Sequence, residues 1–174
     1  MMLKKVQVSD KVALQQIGQA AYAAHFADHW DHNGLALYLE DQFGDERLRS
    51  DLNNPSIDYY FIQIKKETVG FLKLNTAVQF DNYPPTASCE LEKIYLLPAW
   101  AGKGLGRSAM EATMENVKNL GKQVFFLCVI DTNHTAIAFY KRLGFSIHSR
   151  TRLDVPHFKE ELKGMYRMVK ELEK

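Results

Sequence analysis

Pro98-Ala99-Trp100-Ala101-Gly102-Lys103-Gly104-Leu105-Gly106-Arg107 stands between an alternating segment, Cys89 to Leu97, and a helical one, Gly104 to Leu120. Three glycines at every second position let the backbone close on a ligand. The helix that follows aims its free N–H groups and positive dipole at the same place, and Lys103 and Arg107 add charge. By physical logic this is a pyrophosphate cradle; the bland alternative is a glycine-rich strand-to-helix turn with basic residues on its surface. Two other phosphate loops are excluded. No Gly-Lys-Ser/Thr closes a G-x-x-x-x-G spacing, and the G-x-G-x-x-G fingerprint needs glycine at 107, where Arg107 stands.

On the carboxy-terminal side, Val124 to Ile130 is an all-apolar run, as in a strand buried on both faces. Thr132 to Leu143 is helical, with Ala136, Phe139, Tyr140 and Leu143 on one stripe, and Phe145 to Arg152 and Leu162 to Val169 are strands. On the amino-terminal side, residues 3–8 alternate and stop at an N-cap signal, Ser9-Asp10. Helical stretches follow at Val12 to Ala27, Leu35 to Phe43 and Glu46 to Leu52. Ile57 to Ile64 and Val69 to Thr76 flank Lys66-Glu67 as a hairpin, and Asp81 to Pro85 is a loop. The order predicts one α/β domain over residues 1–174, a mixed sheet of about seven strands flanked by about five helices.

Composition narrows the function. The 174 residues carry 22 Lys+Arg and 21 Asp+Glu, so the basic excess of a nucleic-acid binder is missing. Ten Phe, eight Tyr and two Trp supply a core and exclude disorder. Cys89 and Cys128 form no C-x-x-C pair, so neither a disulfide framework nor a cysteine zinc site is expected. No apolar run reaches the roughly 20 residues that span a bilayer, and the amino terminus is charged where a signal peptide is apolar. A cytoplasmic protein without membrane or nucleic-acid partners is the expectation.

The strand Glu90-Leu91-Glu92-Lys93-Ile94-Tyr95-Leu96-Leu97-Pro98, the glycine loop, and Asn133-His134-Thr135-Ala136-Ile137-Ala138-Phe139-Tyr140-Lys141-Arg142-Leu143-Gly144-Phe145 resemble the GNAT acyltransferases. In that family an R/Q-x-x-G-x-G/A loop grips the pyrophosphate of acetyl-coenzyme A, and an N-x-x-A-x-x-F-Y-x-x-x-G-F segment completes the site. The first loop position is Ala101 here, which puts more of the grip on Lys103, Arg107 and backbone amides. The amino-terminal half is similar to the bacterial PaiA-type polyamine N-acetyltransferases, through Ala-Tyr-x-x-His-Phe, a Tyr-Leu-Glu helix, Asn-Pro before the hairpin, and Val69 to Asn75.

The resemblance implies acetyl transfer from acetyl-coenzyme A, as cosubstrate, to a primary amine. Cofactor contacts fall on Ala101, Gly102, Lys103, Gly104, Leu105, Gly106 and Arg107, on backbone amides around Ile94, Tyr95 and Leu96 freed by a strand bulge, and on Asn133 and Tyr140. An ammonium has a pKa of about 10.4, so a base must take its proton at neutral pH. The resemblance places that base at Glu92, with Glu90 on the same strand face as the alternate; a salt-bridged strand residue is the competing reading. Tyr140 corresponds to the tyrosine beside the cofactor sulfur, where phenol and thiol lie within about two pKa units of each other. A core tyrosine is its other reading, and a helix cap that of Asn133.

Cys128, in an apolar strand without an adjacent base, reads as structural and not as an acyl carrier. His25, His29 and His32 fall near one helix face, yet Asn33-Gly34 ends the helix and no H-E-x-x-H occurs, so no metal is expected. Between Asp28 and Asp51 seven acids face two arginines, which suits a polyamine or another small cationic amine; a solvated helix face has the same composition. Tyr22, Phe26 and Tyr38 are acceptor-pocket candidates that could equally be core. A protein amino terminus or lysine as acceptor, and a non-catalytic acyl-coenzyme A-binding module, remain alternatives. A homodimer through the carboxy-terminal strands is implied by the resemblance alone.

Overall fold

Alternation in the hairpin segments builds the centre of the sheet. In the computed structural model, which describes residues 1–172, β1 (Met2–Lys5), β2 (Ile57–Ile64), β3 (Glu67–Asn75) and β4 (Ser88–Leu96) form an antiparallel meander. β5 (Val124–Ile130) joins β4 in parallel, and β7 (Gly164–Glu171) inserts between β5 and the edge strand β6 (Ser146–Arg152), both antiparallel. The order is β1-β2-β3-β4-β5-β7-β6. The one parallel neighbour pair requires a crossover, which α4 (Leu105–Asn119) supplies.

Among the described residues five helices cover the two faces. α1 (Lys11–Phe26), α2 (Gly34–Phe43) and α3 (Asp45–Asn53) pack on one face with Tyr59, Phe61 and Phe71. α4 and α5 (His134–Arg142) pack on the other, where Met110, Val117 and Ile137 meet Leu72, Leu74, Phe125 and Leu127. The strand and helix count agrees with the sequence reading, and the bounds move by one or two residues at most elements. The first segment differs more: β1 stops at Lys5, and Val8–Asp10 is a 3-10 turn. Asp10 accepts from the Gln7 N–H, a bond that holds its carboxyl below its usual pKa. No helix among the described residues is long and apolar enough to cross a membrane.

Two irregularities shape the site. β4 and β5 pair only from Ser88↔Val124 to Leu91↔Leu127, and beyond that the strands part. At the same level the β3–β4 register slips between Lys73↔Lys93 and Leu74↔Leu91, a bulge at Glu92-Lys93. The bulge reverses the alternation. Cys89 and Leu91 before it, and Ile94 and Leu96 after it, therefore all face α4 and α5. Glu90, Glu92 and Lys93 are left on the α1–α3 side, together with Tyr95.

Candidate active site

The glycine loop closes the gap between β4 and α4. Gly102 and Gly104 take φ of 73° and 75°, which an L side chain adopts only with strain, and a Cβ at either would meet nothing within 4 Å. Gly104 is the N-cap of α4, so the first-turn N–H groups point out of the loop without intrahelical partners. Gly106 has no such backbone demand, since a Cβ there would make only ordinary 3.9 Å contacts with Leu96 and Phe139. Its missing side chain leaves the first turn of α4 bare. The cradle therefore fits a pyrophosphate through backbone donors.

The charged side chains of the loop are less available than their sequence suggests. Arg107 Nε is paired with Glu111 at 2.8 Å, and Lys103 Nζ lies 4.8 Å from the centre of the Trp100 ring. The Ala101 N–H is spent on the Pro98 carbonyl at 3.1 Å, so this residue offers neither side chain nor amide. Leu105 is half-buried against Ile62 and Val69 and anchors the helix.

The β4 amides divide by register. Leu97 N–H donates to Val69 O at 2.9 Å, and the antiparallel alternation then turns Tyr95 and Lys93 to β3 and turns Ile94 and Leu96 to the open side. Tyr95, expected to offer its amide with its neighbours, instead contributes its ring. That ring stands edge-on to Tyr22 and Phe26 at 5.6 and 5.5 Å. The Leu96 carbonyl on the open side accepts from His25 Nε2 at 2.8 Å, so Nε2 is the donor of that contact. The three histidines do not share a helix face: α1 ends at Phe26 and His32 adopts φ of 50°. His25 instead ties α1 to the end of β4, a role with no signature in the sequence.

Glu92 lies in a buried ion network. Lys73, 1% exposed, donates to Glu92 Oε2 at 2.7 Å and to Asp51 Oδ2 at 2.8 Å. Tyr59 and Arg47 complete the shell of Asp51 at 2.7 and 3.1 Å. Burial alone would raise the Asp51 carboxyl, but the bonds from Lys73 and Tyr59 and the charges of Lys73 and Arg47 outweigh it and hold it below its usual range. Glu92 is thus both salt-bridged and half-buried at the bulge, with Oε1 left over for another partner. Glu90 shares its face. Burial, then the Glu92 charge, raises the Glu90 carboxyl, and Arg167 opposes the rise.

Lys93 beside them is buried with Gln42 Oε1, at 2.8 Å, as its hydrogen-bond partner. Burial, then the Lys73 charge, lowers it to about 8. The unfolded chain keeps this proton to a higher pH. The cost to stability is therefore full below pH 8 and fades as pH rises toward the ordinary lysine value. Lys93→Met is expected to stabilise the fold at pH 7 by about 1–3 kcal/mol and to flatten its stability between pH 8 and 10, read by chemical denaturation. Equal stability at pH 7 would show that Lys93 carries no strain of burial.

Tyr140, from α5, is half-buried, and desolvation pushes its phenol up to about 12. The Tyr95 phenol is near enough for a charge on Tyr140 to raise it further, after burial and Tyr38. This changes the sequence reading. A thiol near 8.5 is then about three units or more below the phenol, so the proton match that the sequence reading gave Tyr140 is lost. Asn133 caps α5, its Oδ1 accepting from Ala136 N at 3.1 Å. Tyr22 is 5% exposed, inside the aromatic core with Phe26 and Tyr38 at 4.8 and 4.6 Å. Of the three acceptor candidates, only Phe26 and Tyr38 retain surface. Cys128, half-buried, has its thiol raised by burial.

Residues 19–145 match the acetyltransferase (GNAT) family. The chain is a GNAT acetyltransferase. An uncharacterised N-acetyltransferase of Lactobacillus delbrueckii subsp. lactis is 27% identical over 146 residues, 83% of this chain and 84% of that one. The fold is shared with the PaiA N-acetyltransferase of Thermoplasma acidophilum in complex with coenzyme A, at TM-score 0.76 and 17% identity over 98% of both chains. It is shared too with the spermidine N-acetyltransferase of Vibrio cholerae, solved with coenzyme A and spermine. That match has TM-score 0.68 and 14% identity over 98% of this chain and 94% of the other. As a GNAT, the protein is an enzyme that uses acetyl-coenzyme A as cosubstrate, and the cradle described above fits its pyrophosphate.

Proposed function

We propose that this enzyme moves acetyl from acetyl-coenzyme A directly to the primary amine of a small acceptor, with Glu92 as base. One coincidence carries the reading: the strand gap beyond Leu91/Leu127, the bulge at Glu92-Lys93 that resets which side of β4 faces the gap, and the glycine loop all meet toward the end of β4. The cosubstrate supplies an activated thioester. The Ile94 and Leu96 amides on the open side orient its arm, and a free N–H there can hold the carbonyl oxygen. Glu92 Oε1, directly or through a water, takes the proton of the incoming ammonium. The amine nitrogen then forms the N–C bond as the C–S bond breaks. The electron pair leaves on sulfur, steadied by the Tyr140 hydroxyl, and the second amine proton passes to solvent as the thiolate takes one up.

Tyr140→Phe is expected to lower kcat about tenfold with coenzyme A affinity intact, since one hydrogen bond to a charged sulfur is lost. No change would return Tyr140 to the core.

A polyamine acceptor is the second reading. It is supported by the fold shared with the Vibrio spermidine enzyme and by the acids of residues 28–51. Two of those seven are spent on cations of the protein itself, buried Asp51 on Lys73 and Arg47 and exposed Asp45 on Lys11 and Arg49. The other five lie on exposed surface. Free-thiol release from acetyl-coenzyme A on addition of small primary amines tests the proposal. Turnover supports it, and tight coenzyme A binding with no turnover on any amine would favour a protein acceptor or a sensor.

A further inference from the structure

The helix-bearing face of β4, β5 and β7 is layered. At one end Ile130 packs in the aromatic cluster of α1 and α2, with Met165 against it; at the other Phe126 packs with Phe80, and Val169 against them. Between these apolar layers runs a polar band of Glu90, Glu92 and Lys93 from β4, Cys128 from β5 and Arg167 from β7. Glu90, Glu92, Cys128 and Arg167 all keep solvent exposure, so the band is a trench and not a sealed core.

The charges in this trench do not cancel. Asp51 and Glu92 are matched by Lys73 and Arg47. That leaves Glu90 against two cations, Lys93 and Arg167. Among the described residues Lys93 has a neutral amide, Gln42, as its hydrogen-bond partner, and Arg167 Nε is buried without any. A buried guanidinium N–H without an acceptor is costly, so a ligand that supplies one gains there. The Arg167 guanidinium lies against the Cys128 thiol, whose rise it opposes.

We infer that the acceptor is an aminocarboxylate, an amine whose own carboxylate is received by Arg167, and not a polycation. This rests on the proposed direct transfer to a small amine. Arg167 is opposite Cys128, one step past the last β4–β5 pair, Leu91↔Leu127. It therefore sits two strands from Glu92, at least about 10 Å between backbones since β4 and β5 part there, a span that its side chain and an aminocarboxylate fill together. With the carboxylate on Arg167, the amine is directed to Glu92 and the strand gap. A polyamine in the same trench would bring two or more ammonium groups to Lys93 and Arg167.

The test is initial rates of thiol release with matched pairs that differ by one carboxylate: lysine and cadaverine, tyrosine and tyramine, histidine and histamine, with spermidine alongside. In every pair that turns over, kcat/KM for the carboxylate-bearing member is expected to exceed its partner by about tenfold or more, the worth of one charge-assisted bond. Arg167→Gln should collapse that ratio toward one through KM for the aminocarboxylate, and Arg167→Lys should restore part of it. Faster turnover of the decarboxylated amines or of spermidine overturns the inference and leaves the proposed function standing. So does a ratio that survives Arg167→Gln. The wild-type ratio decides alone if the variants do not fold. Silence from every amine, with coenzyme A still bound, overturns the proposed function and this inference with it.

Discussion

Glu92→Gln is expected to lower kcat by about 10²–10⁴-fold at pH 7 while the coenzyme A dissociation constant moves less than about threefold. The carboxylate sits at the bulge, one oxygen on Lys73, and the amide replaces it at the same volume. A second signature separates a lost base from a disturbed fold. As pH rises toward the acceptor's own pKa of about 10, more amine is already free of its proton and less depends on Glu92. The deficit of the variant should therefore shrink steadily between pH 7 and 10. A variant with wild-type turnover, or a deficit that is the same at every pH, would remove Glu92 from the proton transfer.

Lys73→Met is expected to have the largest effect on stability. The ammonium is 1% exposed and stands between the carboxylates of Asp51 and Glu92. Methionine fills its volume but leaves one buried negative charge without compensation, a loss of about 3–5 kcal/mol. For a chain of this size that is a fall in Tm of roughly 10 °C. The pH dependence has a definite sign. Asp51 is held below its usual pKa in the folded protein, so its contribution is present above the unfolded value near 4 and is lost as pH falls through the folded one. The gap between wild type and variant should be widest at neutral pH and narrow below about pH 4. An equally stable variant at pH 7 would show the network to be idle.

Periodicity and punctuation carried the architecture. The seven-residue apolar run became a central strand, and Gly121 and Gly144, both at positive φ, lie just past the ends of α4 and α5. What could not be read was three-dimensional pairing. The bulge at Glu92-Lys93 is a mismatch between two strands and leaves no mark in either one. Lys73 looks like any strand lysine until α3 brings Asp51 over it. The acids of residues 28–51 looked like one wall, but helix geometry turns Asp51 into the protein, and of the six left at the surface Asp45 is tied to Lys11 and Arg49. Composition counts charges and does not show which way they face. Arg167 gave no signal at all, because its significance is the partner it lacks among the described residues.

The account has acetyl pass in one step from thioester to amine while both are bound, with Cys128 a bystander whose thiol burial raises. Initial rates measured over a grid of acetyl-coenzyme A and acceptor concentrations test this most directly. Double-reciprocal lines that intersect are the predicted result, since both substrates must be present before either product leaves. Parallel lines, with an acetyl group found on Cys128 when acceptor is omitted, would contradict it and make the cysteine the carrier.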